Sequence, residues 1–457
     1  MNESVDRYFE TLKDQKVAVL GIGVSNRPLI RMLLSYGIRP LACDKTPREK
    51  LDAEVLELET QGAVLHVGEG YLDGVEADVV FRTPGMHPNI PALCKLREQG
   101  AAITSEMEVF FSVCPCRIIA VTGSDGKTTT TTLIAEMLKK AGKTVWLGGN
   151  IGTPLLPLAK QMQPEDFAVV ELSSFQLMTM TQSADIAVVT NLSPNHLDIH
   201  KDMAEYVAAK ENVYLHQSEQ GKLILNMDNA VTNGFAEKAK GTVQKFSRCE
   251  IPENGTYFDG KSIFRNGEKI VDAADILIPG IHNVENYMAA ICAVEGLVSD
   301  DDIRCVAKNF GGVEHRIELV RVLDGVKYYN DSIASSPSRT IAGLHSFDQK
   351  LILIAGGYDK HISFESLGPE ICRHVKLLVL CGVTANKIRA AVVNAPEYQA
   401  GCPVIEEVSS LEAAVRLCHD RAEAGDVVTL SPACASFDQF KNFMVRGETF
   451  KKLVKAL

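Results

Sequence analysis

The sequence predicts an α/β protein of three domains with mostly parallel sheets, and three observations carry that expectation. Apolar runs of four to seven residues alternate with amphipathic stretches of helix length nearly throughout, the pattern of strands covered by helices on both faces. At about 150 residues per domain, a chain of 457 residues divides naturally into three. Polar, glycine-bearing motifs recur at the ends of the apolar runs, where open α/β sheets place their ligands.

The first block, 1–105, reads as a Rossmann-like domain. A strand over Lys16–Leu20 runs into Gly21-Ile22-Gly23-Val24-Ser25-Asn26. A second strand ends in Cys43-Asp44, and another, Ala77–Phe81, leads to Thr83-Pro84-Gly85. Two spaced glycines after a strand, with an acid about twenty residues on, resemble a dinucleotide fingerprint. Asn26 stands where the third glycine belongs. NAD, another diphosphate nucleotide and a plain tight turn all remain open at this point.

The second block, 106–311, carries the most informative stretch. Ile118–Thr122 has strand character, Gly123-Ser124-Asp125-Gly126-Lys127 is a loop, and a helix is predicted from Thr128 to Lys140. Strand, glycine-bounded loop, lysine and helix N-terminus together build a phosphate cradle. A hydroxyl beside the lysine suits Mg²⁺. The strict pattern wants a further glycine where Val121 stands, so this is a shorter form of the P-loop. Strands follow at Phe167–Leu172, Asp185–Thr190 and Lys222–Asn226, then a hairpin region with Asn266-Gly267 as its turn. A helix beginning near His282 closes the block.

The third block, 312–457, reads as a second Rossmann-like α/β domain. Its strands end in Asn330-Asp331, Gly356-Gly357, Gly382 and Ser431.

Composition narrows the function. A net charge of −11 argues against nucleic acid and anionic membranes as partners. No apolar run approaches the roughly 20 residues of a membrane span, and the charged beginning of the chain has no signal-peptide core. The 12 cysteines are scattered without metal or redox spacing. A cytoplasmic, reduced protein is expected.

Further candidates lie at strand ends. Glu171 can hold Mg²⁺ or orient a water. His196 and Asp198 follow the strand ending at Thr190 and suggest a metal role. Lys360, after Gly356-Gly357, and Ser436-Phe437-Asp438, at an expected helix start, suit a carboxylate. Arg316 is a cation placed to reach a transferring phosphoryl group. The parts describe an ATP-dependent enzyme whose phosphate-binding domain lies between one domain suited to a nucleotide-like anion and one suited to a carboxylate. Phosphoryl transfer to a carboxylate followed by amine attack fits them. Simple hydrolysis leaves the third block without a task.

Over essentially its whole length the chain resembles the Mur ligase family. The resemblance is carried by Gly123–Thr130, Gly148–Gly152, Glu171–Leu177, Asn195–Asp198, Tyr206–Lys210, His282-Asn283 through Asn286, Glu314-His315-Arg316, Asn330-Asp331-Ser332 and Ser431–Phe440. The last stretch, with Ser174-Phe175-Gln176 after Glu171, points to the branch that adds D-glutamate. The resemblance implies an ATP-dependent ligase of peptidoglycan synthesis, and so of cell wall, cell shape and division. Its substrates would be UDP-N-acetylmuramoyl-L-alanine and D-glutamate, and it would act as a monomer. Lys127 and Thr128 would hold phosphates and Mg²⁺, with Glu171 on that metal. His196 and a CO₂-derived carbamate on Lys210 would hold a second Mg²⁺; by itself Lys210 reads as an ordinary helix-face lysine. Gly123, Ser124, Asp125, Gly126, Thr129, Asn283, Arg316 and Asp331 would contact ATP. Val24, Ser25, Asp44, Lys45, Thr83, Pro84 and Gly85 would bind the uridine diphosphate, and Asn150 the muramoyl-alanyl part. Lys360, Ser436, Phe437 and Phe443 would seat D-glutamate.

Two departures from the family pattern involve three positions. Ile333 and Ser335 stand where a lysine and a threonine are common, so a cation near the amino-acid pocket is lost. Asp125 replaces an asparagine and puts a carboxylate beside the phosphates. The alternatives are a related ligase with another amino acid, a folylpolyglutamate synthetase, an NAD-dependent sensor and a nonenzymatic P-loop scaffold. The first block argues against the synthetase.

Overall fold

The computed structural model describes residues 3–194 and 199–457. Strands β1 (Val17–Leu20), β2 (Leu41–Asp44), β3 (Val64–Val67), β4 (Val79–Arg82) and β5 (Ala102–Thr104) form a five-stranded sheet in the order β3-β2-β1-β4-β5. Every pairing in it is parallel. The order reverses between β1 and β4, which opens a crevice at their carboxyl ends.

The second sheet has nine strands: β6 (Arg117–Thr122), β7 (Val145–Gly149), β8 (Phe167–Glu171), β9 (Ile186–Val189), β10 (Lys222–Asn226), β11 (Thr242–Ser247), β12 (Gly255–Phe258), β13 (Ser262–Arg265) and β14 (Glu268–Asp272). Their order is β14-β13-β12-β11-β10-β9-β6-β8-β7. Pairing is parallel from β7 to β12 and antiparallel for the last two strands. The expected turn between β13 and β14 is there. Asn266 at φ 49° and Gly267 at φ 88° are both left-handed, the geometry that closes a two-residue hairpin and that this residue pair tolerates. β6 lies between β9 and β8, so the loops after these three strands converge.

The third sheet comprises β15 (Glu318–Leu323), β16 (Val326–Asn330), β17 (Leu351–Ala355), β18 (Val375–Leu380), β19 (Val404–Glu407) and β20 (Val427–Leu430), ordered β15-β16-β20-β17-β18-β19. Only β15 runs antiparallel. β17 shows why its sequence is a continuous apolar run. Leu351, Leu353 and Ala355 enter one core cluster, and Ile352 and Ile354 enter the other. The side-chain period of two sends alternate residues to opposite faces, and both faces are covered.

The chain forms two compact units. One contains residues up to Ala273 with Glu285–Val306, and the other contains Ala274–Val284 with Ala307–Leu457. The first two sheets share the first unit and one apolar cluster, which runs from Phe9 and Val19 through Phe110 to Ile118, Leu172 and Tyr214. No helix among the described residues is long and apolar enough to cross a membrane.

One acid in this first unit is buried without a cation. Glu106 begins the helix Glu106–Val113, which Ser105 caps by accepting from the Glu108 N–H. A Glu106 Oε accepts from the Leu156 N–H at 2.8 Å. Burial pushes the carboxyl up from 4.5 to about 7, against the pull of that hydrogen bond. Between those values the folded chain keeps a proton that the unfolded chain has lost. Stability therefore falls as pH rises through that window, by up to about 1.4 kcal/mol per pH unit. Glu106→Gln keeps the acceptor oxygen and is expected to flatten this slope in urea unfolding measured from pH 4.5 to 7.5; an unchanged slope would show that Glu106 does not titrate there.

Candidate active site

The loop after β6 is built as the sequence predicts, and its helix spans Lys127–Lys140. Gly126 takes φ 78°, and a Cβ there would collide with the side chain of Asn286, so glycine is required twice over. The neighbouring strand end pins the loop. Ser124 N donates to Asn191 O at 2.8 Å and Asp125 N to Asn191 Oδ1 at 3.0 Å. Thr190 Oγ1 returns a bond to Asp125 O at 2.6 Å. Ser124 Oγ meets the Tyr206 hydroxyl at 2.9 Å. Lys127 Nζ folds back onto Gly123 O and Ser124 O at 3.0 and 2.8 Å. The Asp125 side chain is exposed to solvent, which removes most of the repulsion its charge would bring. Thr129 is half-buried in the first helical turn.

Glu171, at the end of β8, is buried and joins two of the predicted residues. Thr128 Oγ1 donates to one of its carboxylate oxygens and Asn150 Nδ2 to the other, both at 2.7 Å. A hydroxyl and a carboxylate in contact beside a phosphate loop are hard oxygen donors of the kind Mg²⁺ takes.

The reading of Lys210 as an ordinary helix-face lysine is overturned. It lies on the helix Met203–Glu211 and is 2% exposed. Its Nζ donates to Thr122 Oγ1 at 3.1 Å and Gly123 O at 2.9 Å. Burial drives its pKa well below the usual lysine range, Lys127 pushes the same way, and Glu171 opposes them. His196 and Asp198 lie outside the described residues.

At the first sheet, the predicted residues gather at the carboxyl ends of the adjacent strands β2, β1 and β4. Asp44 ties two of these loops together, accepting from Ile22 N at 2.7 Å and Thr46 N at 2.9 Å. Burial opposes its ionisation, but the two N–H donors prevail and hold its pKa below the usual range. Asn26, at the missing glycine, turns inward and donates to Gly21 O at 2.8 Å. Val24, Lys45 and Gly85 are exposed, and Ser25, Thr83 and Pro84 are half-buried. The Thr83–Gly85 turn is held by Arg82, which is 1% exposed. Arg82 donates to Met86 O at 3.1 Å, Phe175 O at 3.1 Å and Thr179 Oγ1 at 2.7 Å.

Asn283 and Asn286 share the helix Ile281–Ala293. Asn283 Nδ2 donates to Pro279 O at 2.6 Å, at the helix entry. Asn286 Oδ1 accepts from Thr130 Oγ1 at 3.2 Å. It carried the family resemblance but was not among the predicted site residues.

In the second unit, Asp331 is buried at the end of β16. It accepts from Ser431 Oγ at 2.7 Å. Burial pushes its pKa up to about 7. Arg316 is exposed between His315 at φ 63° and Ile317 at φ 43°. Two left-handed non-glycine residues around one cation are costly, of order 1–3 kcal/mol each, and such strain concentrates at functional segments. Lys360 is exposed after β17. Ser436 is buried, Phe437 is exposed and packs edge-on against Tyr358, and Phe443 is half-buried against His315.

No helix starts at Ser436, contrary to expectation. The segment from Ala433, itself at φ 58°, stays a chain of turns. The helix begins at Phe443, where Asn442 Oδ1 caps the Val445 N–H at 2.9 Å. The Ser436 carbonyl accepts from Gln439 N and Phe440 N at 3.1 and 2.8 Å, a single turn that no helix continues. Arg446 ties down the residues before it. It is 4% exposed and gathers the Ser332, Cys434 and Ala435 carbonyls at 2.9, 3.1 and 3.2 Å, plus Ser332 Oγ at 3.0 Å. Burial lowers the Arg446 pKa to about 10. Nothing in the sequence marked it except its place on the inward face of the last helix.

A phosphate loop with an oxygen pair suited to a metal, on one of three α/β sheets whose polar groups cluster at strand ends, defines a nucleotide-using enzyme of the α/β class. Residues 121–294 match the Mur ligase middle domain, and residues 315–434 match the Mur ligase glutamate ligase domain. The chain belongs to the Mur ligase family. The UDP-N-acetylmuramoylalanine–D-glutamate ligase of Acetivibrio thermocellus is 53% identical over 464 residues, with both chains fully covered. The ligase of the same name from Clostridium botulinum strain 657 is 50% identical over 458 residues, again with full coverage. Among solved structures, the UDP-N-acetylmuramate–alanine ligase of Thermotoga maritima superposes with a TM-score of 0.59 at 16% identity, over 97% of this chain and 99% of that one. At that identity the likeness speaks for the fold.

Arg446→Met would leave the Ser332 and Cys434 carbonyls without this donor, while Ala435 O keeps the Tyr358 N–H. It is expected to lower stability by about 2–4 kcal/mol, read from urea unfolding. A loss below about 0.5 kcal/mol would show that the turns hold without it.

Proposed function

We propose that this chain joins D-glutamate to UDP-N-acetylmuramoyl-L-alanine, driven by ATP, in the assembly of peptidoglycan precursors. The full-length match at 53% identity to a ligase of that name carries the reading. The site supplies chemistry that fits it. We assign the uridine diphosphate to Val24, Ser25, Asp44, Lys45 and Thr83–Gly85, and the muramoyl-alanyl part to Asn150. The triphosphate is assigned to Gly123–Thr129. Asn283, Arg316 and Asp331 are assigned to the rest of ATP, and Lys360, Ser436, Phe437 and Phe443 to D-glutamate.

Thr128 and Glu171 fit one Mg²⁺, because their oxygens are already in contact. A second ion would rest on His196 and Lys210. When bound, Mg²⁺ neutralises phosphate charge and polarises the transferred group. Lys210 fits carbamylation: desolvation favours its neutral amine, and a neutral amine plus CO₂ gives a carbamate and a proton. A ¹³C resonance from labelled bicarbonate, present in the native chain and missing after Lys210→Ala, is expected; identical spectra would leave Lys210 a plain amine.

The L-alanyl carboxylate oxygen bonds to the γ-phosphorus as the bond to ADP breaks. The amine nitrogen of D-glutamate then bonds to the acyl carbon, phosphate leaves, and the nitrogen loses a proton. Lys127 neutralises charge at the phosphates. Much of the rate comes from holding three substrates in line.

Phosphate release with ATP, Mg²⁺ and UDP-N-acetylmuramoyl-L-alanine tests this. Release is expected with D-glutamate and not with L-glutamate, L-lysine or meso-diaminopimelate; release with another of these moves the substrate, and none with any removes the reading. Lys127→Ala is expected to abolish turnover while the uridine nucleotide still binds, checked by phosphate release and calorimetry. Near-native turnover in that variant would remove Lys127 from the mechanism.

A further inference from the structure

We propose that Arg339 is a second carboxylate anchor of the amino-acid site, sharing with Lys360 the two acid groups of an amino dicarboxylate. The inference rests on the ligase reading above. It starts from the loop 333–335 that follows β16. Arg339 Nη1 donates to Ile333 O at 3.3 Å, and Lys360 Nζ to Ser335 O at 3.4 Å. Two cations from different elements therefore reach the two ends of a three-residue loop. Both bonds are long, both acceptors are neutral, and both side chains are exposed.

Neither cation forms an ion pair among the described residues, while other exposed arginines of this unit, such as Arg373 and Arg416, do. Two acids of this region are already engaged. Asp359, beside Lys360 in sequence, is bound by Lys387. Asp331 is buried and bonded to Ser431, and the Arg339 charge acts on it without forming an ion pair. The loop between the cations carries no charge of its own, since Ile333 stands at its head. Ser335 and Ser336 supply hydroxyls there. The helix Pro337–Leu344 begins beside them, and Ser336 gives it no side-chain cap.

One cation serves a monocarboxylate. Two cations outside any ion pair, flanking a neutral loop, match two carboxylates, and a guanidinium binds one of them through paired hydrogen bonds. Arg339 thereby supplies the charge that Ile333 does not.

The test compares native chain, Arg339→Ala and Arg339→Lys in steady-state phosphate release, with D-glutamate, D-glutamine and D-isoglutamine as acceptors. Arg339→Ala is expected to raise the KM for D-glutamate about 10- to 100-fold, the range for a charge-assisted pair. The KM values for ATP and the uridine substrate should stay within about twofold, and the unfolding midpoint should not move. Arg339→Lys should recover part of the loss. The preference for D-glutamate over one of the two amides should collapse in the alanine variant, and that amide identifies the carboxylate Arg339 holds. Unchanged KM and unchanged preferences overturn the proposal. If the native chain ignores D-glutamate but uses another dicarboxylic amino acid, the ligase substrate is wrong and the same comparison with that acid still decides Arg339. Use of a monocarboxylic amino acid alone, or of none, overturns it.

Discussion

Three buried basic side chains, none hydrogen-bonded to a carboxylate among the described residues, hold the loops on which this protein depends. Arg82 anchors the turn at the first sheet, Lys210 lies under the phosphate loop, and Arg446 gathers the loops of the third sheet. Each is bound by carbonyl or hydroxyl oxygens, with the Arg82 Nε left without a partner. Removing a guanidinium charge from water is expensive, and neutral oxygens repay it only when several converge in good geometry. The convergence fixes the loops. A carboxylate partner would satisfy the charge locally and leave the carbonyls to find other donors. At Lys210 the same desolvation also changes reactivity, because it favours the amine that carries a lone pair.

Central strands were readable in the sequence and edge strands were not. Ile118–Val121, Phe167–Glu171 and Leu351–Ala355 are buried on both faces, so their residues are continuously apolar. Val64–Val67, Ala102–Thr104, Val145–Gly149, Glu318–Leu323 and Val404–Glu407 escaped notice, and every one borders its sheet. Half-exposed strands carry charge and polar groups, which also discourage unwanted pairing. Thr242–Ser247 is the interior exception, hidden by Gln244 and Lys245. The helix expected at Ser436 failed for a different reason. Its small, hydroxyl-rich residues resemble a helix start, but the turn closed on the Ser436 carbonyl stops after one round.

The site was legible where local chemistry repeats a known geometry. The phosphate loop needs only neighbours in sequence, so Gly123–Thr129 could be recognised directly. Glu171 was visible as an acid at a strand end, and its contacts with Thr128 and Asn150 follow from the order β6-β8-β7. Lys210, Arg82 and Arg446 are defined by burial, which one residue in an amphipathic helix or at a strand end does not announce. Arg339 is harder still, since its meaning lies in what surrounds it: an uncharged loop, a second cation, and acids already committed elsewhere.

The phosphate loop is tied to its own neighbours. The N–H groups of Ser124 and Asp125 already have Asn191, and Lys127 holds two carbonyls of its own loop. Those ties to Asn191 run to the neighbouring strand end rather than along the loop. The shape of the cradle is therefore inherited from the residues after β9, and a change at Asn191 would loosen the loop without touching any of its glycines.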